Sequence, residues 1–177
     1  MSLEIERKFR IKMPEKDWLR SREAVTVTGL VQCYLTAHEG WERRVRQATD
    51  ALTGEVRCTL TEKTEEAGLI RTELEKEISP SEYEALLGEM LPGTPPLYKV
   101  RWAFPYMGHI IEIDCYPFWK DEAILEVELS SPDEAFALPP ELVVLADVTN
   151  DPNLKNHALA LAMAEWEREL MESGKIP

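Results

Sequence analysis

Cysteine is scarce in this 177-residue chain: Cys33, Cys58 and Cys115, odd in number, with no CxxC pair. That excludes a disulfide framework and a structural zinc site and suits a reducing compartment. Long apolar runs are missing too. The longest, Ala158 to Ala164, is seven residues, far short of the roughly 18 that suggest a membrane helix. Glycine is sparse, Gly54 and Gly68 stand alone, and no GxxxxGK[ST] phosphate loop occurs. Positive charge is outweighed, with 20 Lys and Arg against 33 Asp and Glu, a net charge of −13. So acidic a chain is a poor candidate for nucleic acid or anionic membrane, both of which are bound through basic surface. The first residues turn charged at Glu4, which argues against a signal peptide. We therefore expect a soluble cytoplasmic protein, with no nucleic acid and no membrane among its partners.

What is present is alternation. With 44% hydrophobic and 30% charged residues, the chain can fill a core, and its length fits one domain over residues 1–177. Period-two patterning predicts strands over Leu3 to Lys12, Val25 to Thr36, Trp41 to Gln47, Glu55 to Thr64 and Leu69 to Ile78. Three more follow over Leu97 to Pro105, His109 to Tyr116 and Ala123 to Leu129. Short turns between them, such as Met107-Gly108, suggest an antiparallel meander. Ser79-Pro80-Ser81-Glu82 carries a capping serine, a proline at the first helical position and a glutamate three residues after the cap. Pro14 to Leu19 and Ser131 to Glu134 predict further short helices. Asp151-Pro152 opens the longest one, with Leu159, Met163, Trp166 and Leu170 at helical spacing.

The strand faces carry an unusual charge pattern. Glu4, Glu6 and Lys8 share a face, as do Arg44 with Arg46, Arg57 with Lys63, and Arg71 with Glu73 and Glu75. The same holds for Lys99 with Arg101, Glu112 with Asp114, and Glu126 with Glu128. Neighbours on such a face lie about 7 Å apart. Solvent-facing strands mix signs freely, whereas like charges side by side repel. The opposite faces are largely apolar. Closing the sheet with its charged faces inward gives an α+β protein: an eight-stranded antiparallel closed β-barrel, a tunnel with a charged lumen, peripheral helices and a long C-terminal helix. Such a lumen is too polar for a lipid carrier. Hard divalent cations take carboxylate oxygens, and guanidinium forks fit phosphate. A polyphosphate bridged by Mg²⁺ or Mn²⁺ satisfies both sets, held by side chains in place of a glycine-rich loop.

The residues that carry this pattern resemble a known family. Glu4-Ile5-Glu6-Arg7-Lys8 matches the ExExK signature, and Arg-Val-Arg at 44–46, Thr-Glu-Lys at 61–63 and Arg-Thr-Glu-Leu-Glu at 71–75 follow in order. Lys-Val-Arg at 99–101, Glu-Ile-Asp at 112–114, Glu-Val-Glu at 126–128 and Asp-Pro-Asn-Leu-Lys-Asn at 151–156 complete the set. The whole resembles the CYTH superfamily, the triphosphate tunnel metalloenzymes, and most of all its small bacterial inorganic triphosphatases.

The resemblance implies that Glu4, Glu6, Glu126 and Glu128, with Asp114 near them, are ligands of Mg²⁺ or Mn²⁺. It implies that Lys8, Arg44, Arg46, Lys63, Arg71, Lys99 and Arg101 hold a small-molecule triphosphate, with Lys155 reaching in from the start of the last helix. Lys8, Arg46, Lys63 and Tyr34 would act in the chemistry. Glu73, Glu75 and Glu112 would pair structurally with the tunnel bases. The implied reaction is hydrolysis of tripolyphosphate to pyrophosphate and phosphate by a monomer or homodimer. Alternatives are a class IV adenylyl cyclase, a thiamine or nucleoside triphosphatase, and a non-enzymatic polyphosphate-binding module. One departure is that Leu154 stands where relatives carry a tyrosine, which leaves open how the tunnel end is closed.

Overall fold

Stretches with one apolar and one charged face are stable as strands only when the apolar side is covered. The computed structural model describes residues 2–64 and 70–173. Its strands are β1 (Ser2–Lys12), β2 (Thr26–Leu35), β3 (Trp41–Asp50), β4 (Val56–Thr64), β5 (Ile70–Ile78), β6 (Leu97–Tyr106), β7 (His109–Cys115), β8 (Glu122–Glu128) and β9 (Val144–Asp147). Its helices are α1 (Lys16–Arg20), α2 (Pro80–Leu86) and α3 (Asn156–Glu172). The eight predicted strands are all present. The turn expected at Glu65 to Gly68, and Leu69 after it, lie outside the described residues.

All pairings are antiparallel, in the order β5-β4-β3-β2-β6-β7-β8-β1-β9, and β1 also pairs with β5. Because β1 has β8 on one side and β5 on the other, strands β1 to β8 form a closed ring. The first half of β1 takes β5 as partner (Glu4 opposite Arg71). Its second half takes β9 (Phe9 opposite Asp147, Ile11 opposite Val144). This fork feeds the chain after β9 back over the barrel. Val148 N–H donates to the Lys8 carbonyl at 2.9 Å, and the Lys8 N–H donates to Thr149 Oγ1 at 3.1 Å.

Outward residues make the main core. Ile5, Phe9, Ile11, Trp102, Phe104, Ile111, Ile113, Leu125 and Val127 are buried beneath Leu19 of α1 and Leu142. Trp18 meets Phe104 edge-on at 5.8 Å, fastening α1 to the barrel. A second group lies under Tyr83 of α2, with Cys33, Val45, Cys58 and Ile78. The capping box expected at Ser79 is formed: the serine side chain accepts from Glu82 N–H, and the Glu82 carboxylate accepts from Ser79 N–H.

The third group closes the barrel. Tyr34, Leu97, Tyr116 and Ile124 share strand faces, or their continuation, with the charged residues Arg44, Lys99, Asp114 and Glu126. Yet these four are apolar or aromatic and pack against Leu159, Ala160 and Met163 of α3. The inner face thus turns from charged to apolar where β2 ends and β6 begins, and α3 seals it there, with Leu154 packed against the seal.

Two expectations need correction. Ser131 to Glu134 is a turn and not a helix. The Glu134 carboxylate, which would have completed a helix cap, is taken by Ser130 N–H and by His109. Strand β9 was not anticipated, because Leu142 to Ala146 is a short apolar run without alternation. Among the described residues no helix is long and apolar enough to cross a membrane.

Candidate active site

The lumen is walled by side chains from β1, β2, β3, β4, β5, β6, β7 and β8 and by the segment from Thr149 to Asn156. Its lining holds nine carboxylates against six cations, an excess of three negative charges. Of the residues expected to act here, Glu4, Glu6, Lys8, Tyr34, Arg44, Arg46, Lys63, Arg101, Glu126, Glu128 and Lys155 all line it. Alternation along each strand puts them there, since a strand turns every second side chain to the same side.

Three of the six cations are already engaged. Lys63 Nζ lies 2.5 and 2.6 Å from the two Glu4 oxygens and 2.7 Å from Glu73. Lys8 Nζ is 2.9 Å from Glu126 and 3.4 Å from Glu6. Arg101 forks onto Asp114 at 2.6 and 2.8 Å, reaches Glu126 at 2.7 Å and pairs with Glu112. Thr61 donates to Glu75 at 2.9 Å. Glu73 and Glu112 therefore pair with tunnel bases, as expected.

Arg44 and Arg46 differ. Among the described residues neither makes an ion pair, and the Nε of each is buried without a hydrogen-bond partner. Burial, with Arg44 and Arg101 beside it, pushes the Arg46 guanidinium down to about 10. It stays charged at neutral pH and lacks a counterion. Burial works against the Arg44 charge as well, but Tyr34, Glu42, Glu4 and Glu73 outweigh it and raise its pKa; side by side and without ion pairs, the two guanidiniums can take an anion.

Tyr34 is buried, and its hydroxyl accepts from Gln32 Nε2 at 2.8 Å. Burial raises its pKa well above the ordinary value. It therefore keeps its proton, and with its oxygen already accepting it can donate into the lumen but does not act as a base.

Two expectations are corrected. Lys99 and Asp114 do not line the lumen. Both side chains are 0% exposed and bonded to one another, lying where the charged inner face meets the apolar seal. Burial works against an ionised Asp114, but Arg101 and Lys99 outweigh it and hold its pKa low. Its oxygens are committed to those bases, so it braces Arg101 and is not free to ligate a metal. Lys99 is likewise a wall residue. The Arg71 side chain lies outside the described part of the structure. Sequence reasoning missed Glu42, Thr149, Asp151 and Asn156, which also line the lumen. Glu42 precedes the Arg44-Arg46 pair with the same spacing of two, a usable signal; Asp151 and Asn156 stand in the 151–156 motif that the resemblance included without giving them a role, and Thr149 lies in a non-repeating segment.

A divalent cation would find suitable ligands here. Glu6 and Glu128 face each other across β1 and β8, a repulsive arrangement unless something bridges it. Burial, then Glu126 beside it, raises the Glu6 pKa. Among the described residues no three acidic, histidine or cysteine side chains converge into a ready cage.

A closed antiparallel barrel enclosing clustered acids and bases defines the class. The inorganic triphosphatase NE1496 is 30% identical over 91% of this chain and 96% of its own, with a TM-score of 0.55. A conserved hypothetical protein from Pyrococcus furiosus is 21% identical over 73% of this chain and 81% of its own, with a TM-score of 0.53. The PH1012 protein from Pyrococcus horikoshii OT3 is 22% identical over 73% and 80%, with a TM-score of 0.50; these two share the fold. No family model and no curated protein matches the chain. The chain belongs to the CYTH superfamily, the triphosphate tunnel metalloenzymes.

Proposed function

We propose that this protein is a divalent-cation-dependent triphosphatase that hydrolyses inorganic tripolyphosphate to pyrophosphate and phosphate. The reading is carried by two buried arginines, Arg44 and Arg46, that make no ion pair among the described residues, in a lumen whose lining is acidic in excess. An anion fits the arginines, but the surplus carboxylates repel it. Cations entering with the substrate reverse that balance, which is why the reading includes Mg²⁺ or Mn²⁺. The similarity to NE1496, an inorganic triphosphatase over nearly the same length, supports it.

Glu6 and Glu128 would hold the cation; Glu4 and Glu126, expected as further ligands, have their oxygens on Lys63 and on Lys8 and Arg101, and would join only by giving up those bases. When bound, the cation supplies charge neutralisation and polarisation of phosphoryl oxygens. Arg44 and Arg46 present unpaired N–H groups to the phosphates, and Lys8, Lys63 and Arg101 add fixed positive charge already set by their carboxylate partners. Water forms the new P–O bond and releases a proton to solvent, the P–O bond to the pyrophosphate portion breaks, and the Tyr34 hydroxyl would hydrogen-bond a phosphate oxygen. Lys155 reaches the lumen from the segment before α3.

A cyclase would need a surface for a nucleobase. Among the lining residues only Tyr34 is aromatic and only Leu154 aliphatic, and Tyr34 is packed against His157, 5.0 Å between ring centres. The test is to incubate tripolyphosphate, ATP and thiamine triphosphate with Mg²⁺ or Mn²⁺, with and without EDTA, and to quantify phosphate, pyrophosphate and cyclic AMP. We expect tripolyphosphate turnover that EDTA abolishes. Undiminished turnover in EDTA, or cyclic AMP as the main product, would overturn the reading.

A further inference from the structure

Asn156, the first residue of α3, borders the lumen. Its Oδ1 accepts from Lys99 Nζ at 3.3 Å and from the Tyr116 hydroxyl at 3.0 Å. An ammonium can only donate, so the oxygen of the carboxamide must face Lys99. Turning the amide round would set donor against donor. The orientation is therefore determined by chemistry.

The consequence concerns the other end of the amide. With the oxygen held against the wall, the NH₂ group points away from it, and among the described residues it has no partner. The wall that holds it is stiff: Lys99 bonds Asp114, Asp114 bonds Arg101, and Arg101 bonds Glu126, which also takes Lys8. A donor fixed in advance in the lumen that Arg44 and Arg46 also line, their Nε atoms without partners, costs little reorganisation when an anion arrives.

We propose that Asn156 is a substrate-binding residue, its Nδ2 donating to a phosphoryl oxygen at the sealed end of the lumen. This rests on reading the lumen as a triphosphate site and adds a neutral donor to its charged ones. The competing role is purely structural, with Asn156 doing no more than anchoring the start of α3 to Lys99 and Tyr116.

Asn156→Ser decides, because it removes the NH₂ without adding charge and is small enough to fit and too short to reach. Asn156→Asp keeps an oxygen for Lys99 and Tyr116 but adds a carboxylate that repels phosphate whatever the NH₂ does, so it counts only when its KM is parent-like. Tripolyphosphate KM and kcat are measured with Mg²⁺, alongside the melting temperature of the ligand-free protein. A hydrogen bond to a charged group, once lost, is expected to raise KM roughly 10- to 100-fold. We expect at least that loss in Asn156→Asp, and the lower end of it in Asn156→Ser, with ligand-free melting close to the parent's. Parent-like KM in whichever variant folds overturns the proposal, whatever its melting temperature. If the parent itself neither binds nor hydrolyses tripolyphosphate, the lumen reading falls first and Asn156 with it. An active parent with parent-like variants removes only the role of Asn156.

Discussion

Glu6 makes the conflict between stability and function concrete at the level of one residue. It is held between Glu126 and Glu4, opposite Glu128, with Lys8 at 3.4 Å and Lys63 farther off to offset them. Its folded pKa is raised by burial and then by Glu126. A carboxyl raised in the folded state penalises folding above that pKa, and the penalty is relieved as the pH falls through it. Glu6→Gln should therefore raise the melting temperature of the ligand-free protein at pH 7 while abolishing cation-dependent turnover. The gain should shrink as the melt is repeated at pH values falling through the carboxylate range. A lower melting temperature at pH 7 would show that Glu6 is a stabilising partner of Lys8.

Lys99 titrates the other way. Burial, against the pull of Asp114 and with Arg101 nearby, lowers it to about 8. Lys99 does not touch the ligand, so its charge acts on bound tripolyphosphate only across the wall; affinity should hold below pH 8 and fall modestly, by less than about tenfold in all, as the pH rises through it. Lys99→Arg, which keeps its charge, should flatten that profile. An equally steep profile in the variant would assign the titration elsewhere. Lys99 and Asp114 also mark where the sequence stops being legible. Strand parity places them with Arg101 and Glu112 on the inner face, which is correct, but parity carries no depth. What removes them from the lumen is α3, some forty residues or more along the chain.

At the scale of elements, the barrel was readable because each of its strands states its two faces locally. Helix α2 was readable because its cap is written in four residues. Strand β9 and the segment after it were not, since neither repeats, and their place depends on a fork in β1 that only the closed ring creates. Helix α3 was expected, but its work was not: hydrophobic spacing shows that a helix buries a stripe without saying against what. It buries Leu159, Ala160 and Met163 on the apolar end of the lumen. Met163 is 0% exposed, so Met163→Ala leaves a cavity and should cost about 2–5 kcal/mol. Because the same helix holds Asn156 and His157 against Lys99, Thr94 and Tyr34, tripolyphosphate affinity should fall with stability. A destabilised Met163→Ala that keeps full affinity would mean that the seal and the lumen are uncoupled.

For the whole molecule the governing fact is electrostatic. A chain of net charge −13 encloses a lumen with its own excess of three negative charges, so neither the long-range field nor the local one favours a free polyphosphate. Cation and polyphosphate should accordingly bind as a pair, each removing the repulsion that opposes the other. Ligands that bind only the folded state raise its stability by RT ln(1 + [L]/Kd), about 2.7 kcal/mol at a hundredfold excess. For a chain of this length that is a rise in melting temperature on the order of 5–10 °C. A triphosphate with nitrogen in place of its bridging oxygens keeps hydrolysis out of the measurement. With Mg²⁺ it should give the full shift, alone much less, and Mg²⁺ alone less than the two together. A shift just as large without a cation would mean that the arginines suffice by themselves, and Glu6 and Glu128 would then have no part in binding.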